Sequence, residues 1–275
     1  MPERDYIWPL ESIDNVRQMV LDYYETDDKD SYDSTDLTEL MVDNWWIKRF
    51  LIHKGGDEVE AFNMIINCLK WRKKIEIRSI KDNHFPEEIY RIGALFSYGR
   101  DQNGFPTVYI RLKMVKRLKE VSDLVKLFIT YNFYKVDVES HGQGWGLIID
   151  FNGAGLQNTD LDLARMVILG LKAYFPSSLE YVLCVDFPWI LRAFWRVIKS
   201  WIPADRKFML SFTSRNQLTS FIDQDYLPQF LGGNCKRPTN EAPFGCPKFV
   251  EYCVTELGVS KESAEKVFAQ YKPYL

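Results

Sequence analysis

The 275-residue sequence is poor in the residues that hold metals or covalent cross-links. Its five cysteines, Cys68, Cys184, Cys235, Cys246 and Cys253, are odd in number and form no Cys-x-x-Cys pair, so neither a disulfide scaffold nor a zinc site is signalled. The three histidines, His53, His84 and His141, stand singly in polar or Gly-rich stretches and read as surface imidazoles. No apolar run approaches the roughly 18 residues needed to cross a bilayer. The opening "MPERDYIWPL" lacks the apolar core of a signal peptide. Positive charge is not in excess either. A net charge of −3, spread over both halves, argues against nucleic acid as a partner, because phosphate neutralisation needs a basic face. A reduced, cytoplasmic setting is expected, with any attraction to membranes confined to a local patch.

Catalytic motifs are equally scarce. There is no Gly-x-Ser-x-Gly elbow, no Gly-x-x-x-x-Gly-Lys-Ser/Thr loop and no His-x-x-x-His pair. Asp150 and Asp186 close predicted strands, where aspartates often cap the following turn. The stretch "GLIIDFNGAGLQNTD" from Gly146 to Asp160 runs a strand through a Gly-x-Gly turn into a helix, as a dinucleotide loop does. Asn158 stands where the third glycine belongs, however, and Asp150, Phe151 and Asn152 separate the strand from the turn, so the match is poor. Neither enzymatic activity, nor a cofactor, nor a metal is expected.

Apolar residues make up 46% of the chain and aromatics 15%, against 27% charged, which describes a globular protein with a large core. The first part reads as about three helices: Ile13, Val16, Val20 and Tyr24 recur at helical spacing, as does "NWWIKRFLI" from Asn44. A third begins near Asp57, a capping residue, with Glu60 in the position of a capping-box acid. The period then changes. "FPTVYIRL" from Phe105, "GLIID" from Gly146, "YVLCVD" from Tyr181 and "KFMLSF" from Lys207 are short apolar strands separated by helical patterns, Leu161 to Tyr174 among them. Alternation of strand and helix predicts an α/β fold with a mostly parallel sheet. A weaker helical pattern runs from Phe249 to Tyr271, with a cap at Ser260, and the run "RLKMVKRLK" from Arg111 reads as a solvated helix face or an anionic-lipid contact.

The most unusual segment is "DFPWILRAFWRVIKSWIP", Asp186 to Pro203. Leu191, Phe194, Trp195, Ile198, Trp201 and Ile202 form one wide apolar stripe at i, i+3, i+4, i+7 spacing, while Arg192, Arg196 and Lys199 lie off it. The pattern fits a helix resting in a membrane interface, with Trp189 and Trp201 as aromatic anchors, and equally a core helix whose cations snorkel to water.

Taken in order, these motifs resemble the CRAL-TRIO lipid-binding family over about Val42 to Gly233. "DNWWIKRFLI" and "DEVEAFNMIINCLKWRKK" resemble its Arg-Phe-Leu and Trp-Arg helices, and "DQNGFPTVYIRL" its Asp-x-x-Gly-x-Pro strand start. "IIDFNGAG", "YFPSSLEYVLCVDFPWILRAFWRVIKSWIP", "FTS" and "YLPQFLGG" follow as the family's strand and Gly turn, Tyr-Pro strand, gate helix and Leu-Pro-x-x-x-Gly-Gly end. The resemblance implies a helical N-terminal lobe (1–85), a lipid-binding lobe whose sheet is covered by helices and a gate helix (86–234), and a Pro-containing linker with a C-terminal helix (235–275). It also makes the Gly153 loop a plain turn.

The implied ligand is a lipophilic small molecule or phospholipid, exchanged during transient contact with a membrane surface. Strand alternation puts Trp145, Leu147 and Ile149 on one face, and Phe208, Leu210 and Phe212 on another, either lining a cavity or filling a core. With Phe194, Trp195 and Ile198 of the gate they are the expected lipid-binding residues; Trp189, Arg192, Arg196, Lys199 and Trp201 are the expected membrane contacts. At positions where phosphatidylinositol-transferring members carry head-group residues, this chain has Gly55, Ser177 and Phe208, with Lys54 as one neighbouring cation. Weak or absent phosphatidylinositol exchange is therefore expected. The competing expectation is a module that docks a protein partner, such as a small-GTPase regulator, along the aromatic stripe.

Overall fold

The computed structural model describes residues 9–275, with the side chains of Asp205 and Phe208 excepted. Its N-terminal lobe packs α1 (Leu10–Thr26), α2 (Ser34–Val42), α3 (Asn44–His53) and α4 (Glu58–Lys74) around Val16, Val20, Ile47, Leu51, Ile65 and Leu69. Sequence periodicity missed α2, a short helix whose N-terminus is closed by the Asp33 carboxylate accepting from Thr35 N and Asp36 N. Asp57 caps α4 as predicted, accepting from Glu60 N at 2.9 Å. Glu60 does not complete a capping box: its carboxylate pairs with Lys54, and Lys54 O receives the Asp57 N–H.

The second lobe runs α5 (Glu87–Arg91), β1 (Leu95–Arg100), β2 (Pro106–Arg111), α6 (Ser122–Glu139), β3 (Trp145–Asp150), α7 (Leu161–Tyr174), β4 (Leu179–Val185), α8 (Arg192–Trp201) and β5 (Leu210–Thr213). The sheet order is β1-β2-β3-β4-β5, with β1 antiparallel to β2 and the remaining pairs parallel. The mostly parallel sheet matches the sequence reading. The antiparallel β1 was not anticipated. At the β1–β2 turn Asp101 Oδ1 accepts from Asn103 N and Phe105 N, each at 2.9 Å, and Pro106 opens β2. The predicted last strand begins later than expected, because Ala204–Met209 forms a 3-10 turn; Phe208 thus lies outside the strand and its side chain outside the described residues. The Arg111–Lys119 run is not a helix face but a strand end followed by two short 3-10 turns.

The two faces of the sheet differ. Tyr109, Ile148, Leu183 and Val185 form a core with Leu218, Ile222, Leu227 and Leu231 from the segment after β5. That segment closes on Gly233, where a Cβ would lie 1.9 Å from Leu227 O and 2.5 Å from its carbonyl carbon. Neither atom can yield without moving backbone, so Gly233→Ala is expected to cost about 2 kcal/mol, read as a lower urea midpoint. The opposite face carries Val108 and Ile110, then Leu147 and Ile149, Val182 and Cys184, and Leu210 and Phe212, aligned across four strands. The chain ends in α9 (Phe249–Thr255) and α10 (Lys261–Ala269). The expected single helix is broken around Gly258, whose φ of +64° favours glycine, and Ser260 caps the second half.

Ile77, Ile80 and Phe85 pack with Phe128, Phe133 and Tyr252 rather than with the N-terminal core. The lobes are joined by a buried bidentate ion pair, Arg49 Nη1 and Nη2 donating to Asp137 at 2.9 and 2.8 Å. Among the described residues no helix is long and apolar enough to cross a membrane.

Candidate lipid pocket

Above the second sheet face lies a cavity of about 480 Å³. Ile110, Leu147, Ile149, Val182, Cys184 and Leu210 form its floor. One wall is α7, which turns Leu163, Ala164, Val167, Ile168 and Leu171 inward at spacings of three and four. The other is α8, through Phe194, Trp195, Ile198 and, just beyond it, Ile202. Such a hollow costs stability when empty. Its lining is mainly apolar, the surface a long hydrocarbon covers best.

The expected lipid-facing residues separate into groups. Leu147, Ile149, Leu210, Phe194, Trp195 and Ile198 all border the cavity. Trp145 does not: it shares the face of Leu147 but is fully enclosed, its ring 5.1 Å from Phe133, and fills core beyond the cavity's end. Phe212 is also outside. It is 50% exposed and stands at the rim, edge-on to Trp195 at 5.1 Å and to Phe187 at 5.2 Å. These three rings form one aromatic cluster between α8 and β5.

The expected membrane contacts lie on or beside α8. Trp189 is 75% exposed on the 3-10 turn before the helix. Arg192, Arg196 and Lys199 are exposed, whereas Trp201 is half-buried. Leu191 is fully buried against Phe151 and Cys184, so the helix is anchored at its start.

His53, Lys54, Ser177 and Ser178 border the cavity at the end nearest the N-terminal lobe, and Asn158, Asp160, Lys172 and Arg206 also belong to its lining. Sequence reasoning placed His53 on the open surface; in fact it sits one turn beyond Arg49 on α3 and is half-buried. Lys54 is engaged by Glu60 at 3.2 Å, and Ser177 Oγ donates to Arg49 O at 3.2 Å. The inward stripe of α7 and the pair Val182 and Cys184 were also missed. Both follow the same periodicities that exposed the neighbouring site residues.

The Gly153 loop is satisfied internally. Gly155 N donates to Asn158 Oδ1 at 2.9 Å, and Asn158 Nδ2 donates to Lys113 O and Val115 O. Asp150 and Asp186 are bridged by Arg215, at 3.3 and 3.2 Å. Burial raises the Asp150 carboxyl above its usual range, and Arg215 opposes the shift. These two strand-end aspartates thus brace the loops beside β5.

The sequence profile of the CRAL/TRIO domain matches residues 90–233, more than half of the chain. CRAL-TRIO domain-containing protein C365.01 of Schizosaccharomyces pombe is 23% identical over 268 residues, covering 88% of this chain and 73% of the relative. Phosphatidylinositol transfer protein CSR1 of Eremothecium gossypii is 23% identical over 205 residues; the match covers 72% of this chain but only 44% of that protein. The crystal structure of Sfh5 superposes with a TM-score of 0.58 over 96% of both chains at 13% identity, a likeness of fold. With pocket, sheet order and profile in agreement, the chain belongs to the CRAL/TRIO domain family.

Proposed function

We propose that this protein is a cytoplasmic lipid carrier or sensor rather than an enzyme. It holds one lipophilic molecule in the hollow beneath α8 and exchanges it when α8 meets a membrane surface. The observation that carries this reading is the cavity of about 480 Å³, floored by apolar residues from four strands in register. A relative named as a phosphatidylinositol transfer protein supports it. Within the family we place the chain nearest the CRAL-TRIO part of motile sperm domain-containing protein 2, on the order of its gate-helix and Leu-Pro motifs.

The ligand is mainly hydrocarbon. Lys54 and Ser177, at the polar end, already have protein partners, and Gly55 supplies no side chain. Phosphatidylinositol exchange between liposomes is accordingly weak, and efficient exchange in that assay would refute the head-group part of the reading. The protein purified from cells and analysed by native mass spectrometry carries a hydrophobic adduct released by organic solvent. A bare polypeptide mass, with no uptake from liposomes, would overturn the whole proposal.

The gate is tested through Cys184. Its thiol lies on the cavity floor, 2% exposed, and burial pushes its pKa up to about 12, so it is protonated and shielded at neutral pH. A thiol reagent added to the native protein modifies the half-buried Cys235 and Cys246 first. Anionic vesicles then accelerate labelling of Cys184 severalfold, as α8 swings from the mouth with its exposed Arg192, Arg196 and Lys199 toward the bilayer. Peptide mapping that finds Cys184 equally slow with and without vesicles rules out a membrane-opened gate.

A further inference from the structure

A second, smaller cavity of about 80 Å³ lies beyond the main one, under the C-terminal helices. Ile92, Leu95, Val125, Phe128, Phe249 and Phe268 are among its lining residues, drawn from the segment after α5, the edge strand β1, α6, α9 and α10. Ile110, Val115, Ile129 and Leu163 border both cavities and form a thin partition between them. The sheet runs beneath both: Leu95, Ile110, Ile149 and Cys184 are cross-strand neighbours in one unbroken row, leading from the small cavity into the floor of the large one.

Two charged side chains, Glu88 and Lys116, border the small cavity beside the phenol of Tyr271, and both are spent on holding the C-terminal pair in place. Glu88 Oε2 accepts from Phe249 N at 2.8 Å, and Lys116 Nζ donates to Gln270 O at 2.6 Å. Pro247 O accepts from Glu87 N at 3.0 Å, fixing the approach to α9. The space therefore offers hydrocarbon contact to an occupant, and the four side chains it shares with the main hollow are the route by which an occupant would enter.

We infer that this cavity is the end compartment of the lipid channel, taking the last methylenes of an acyl chain whose remainder fills the main pocket, so that the C-terminal helices help set chain-length preference. The inference rests on the lipid-carrier reading above. A chain that reaches past Ile110 and Ile129 gains apolar burial in the small cavity, while a shorter chain stops at the partition. Each methylene so buried multiplies affinity about fourfold.

The test uses the full-length protein and vesicles containing equal amounts of lauroyl, palmitoyl and arachidoyl phosphatidylcholines together with the corresponding free fatty acids. Bound lipid is extracted and quantified by mass spectrometry. Ile92→Phe and Val125→Phe fill the small cavity from the segment after α5 and from α6, and thermal melts select the variants that fold as wild type does. The bound ratio of arachidoyl to lauroyl chains falls about fifteenfold in the filled variants, the loss of roughly two buried methylenes. Total uptake of lauroyl lipid stays level. An unchanged ratio in folded variants overturns the inference alone. Wild-type protein that takes up none of these lipids sinks the carrier reading, and the inference with it.

Discussion

Replacing Arg49 with alanine is expected to lower folding stability by about 3–5 kcal/mol, read as a large drop in the urea midpoint. The guanidinium is 8% exposed and gives both terminal nitrogens to Asp137, itself 6% exposed, while Nε donates to Pro176 O at 3.0 Å. Truncation leaves a buried carboxylate with Ser178 Oγ, at 2.6 Å, as its remaining side-chain donor. The cost comes from that stranded charge more than from the lost attraction, because taking two ions out of water already consumes most of what their pairing returns. A double change to apolar residues of similar size, Arg49→Met with Asp137→Leu, should therefore be milder than Arg49→Ala alone. A single variant within about 1 kcal/mol of wild type would show that the pair is solvated in solution. Lipid handling should suffer too, since Ser178 borders the cavity and its Oγ loses the donor at Arg49 Nη2.

Filling the main cavity should do the reverse, removing lipid while leaving the fold intact. Val182 lies on the floor between Leu147 and Leu210, and Ala164 faces it from α7. In a packed core, added side-chain volume costs about 1–3 kcal/mol per site, but a ring that enters an existing hollow replaces void with contact. Val182→Trp and Ala164→Trp, made together, are expected to melt within a few degrees of delipidated wild type and to reduce lipid taken up from vesicles at least tenfold. Unfolding of both single variants, paired with an uptake defect no larger than their loss of folded protein, would mean that the space is closed in solution.

Sequence and structure agree where a local rule decides the outcome. Alternation along β3 placed Leu147 and Ile149 on one face, and the helical stripe placed Phe194, Trp195 and Ile198 together. Alternation fixes a face and not how far a cavity extends along it, which is why Trp145 was assigned to the pocket though it packs on Phe133. The strand β1 went unseen because "LFSYGR" is held by antiparallel pairing with β2 across a bulge, a long-range arrangement that a single short stretch does not announce. The stripe of α7 has the same periodicity as any core-facing helix, so nothing local marks it as a cavity wall. Arg49 and Arg72 stood out within motifs, yet the structure commits both to buried carboxylates, Asp137 and Asp36, and neither borders the cavity.

The two-sided sheet divides labour by residue parity. Ile148 and Val185 point into a filled interior, where almost any change is felt by the fold. On the other face Leu147, Ile149, Val182 and Cys184 border open space, where a change alters the shape of the hollow before it threatens the architecture. Selection can thus retune what is carried one strand position at a time, while the intervening positions keep the scaffold unaltered.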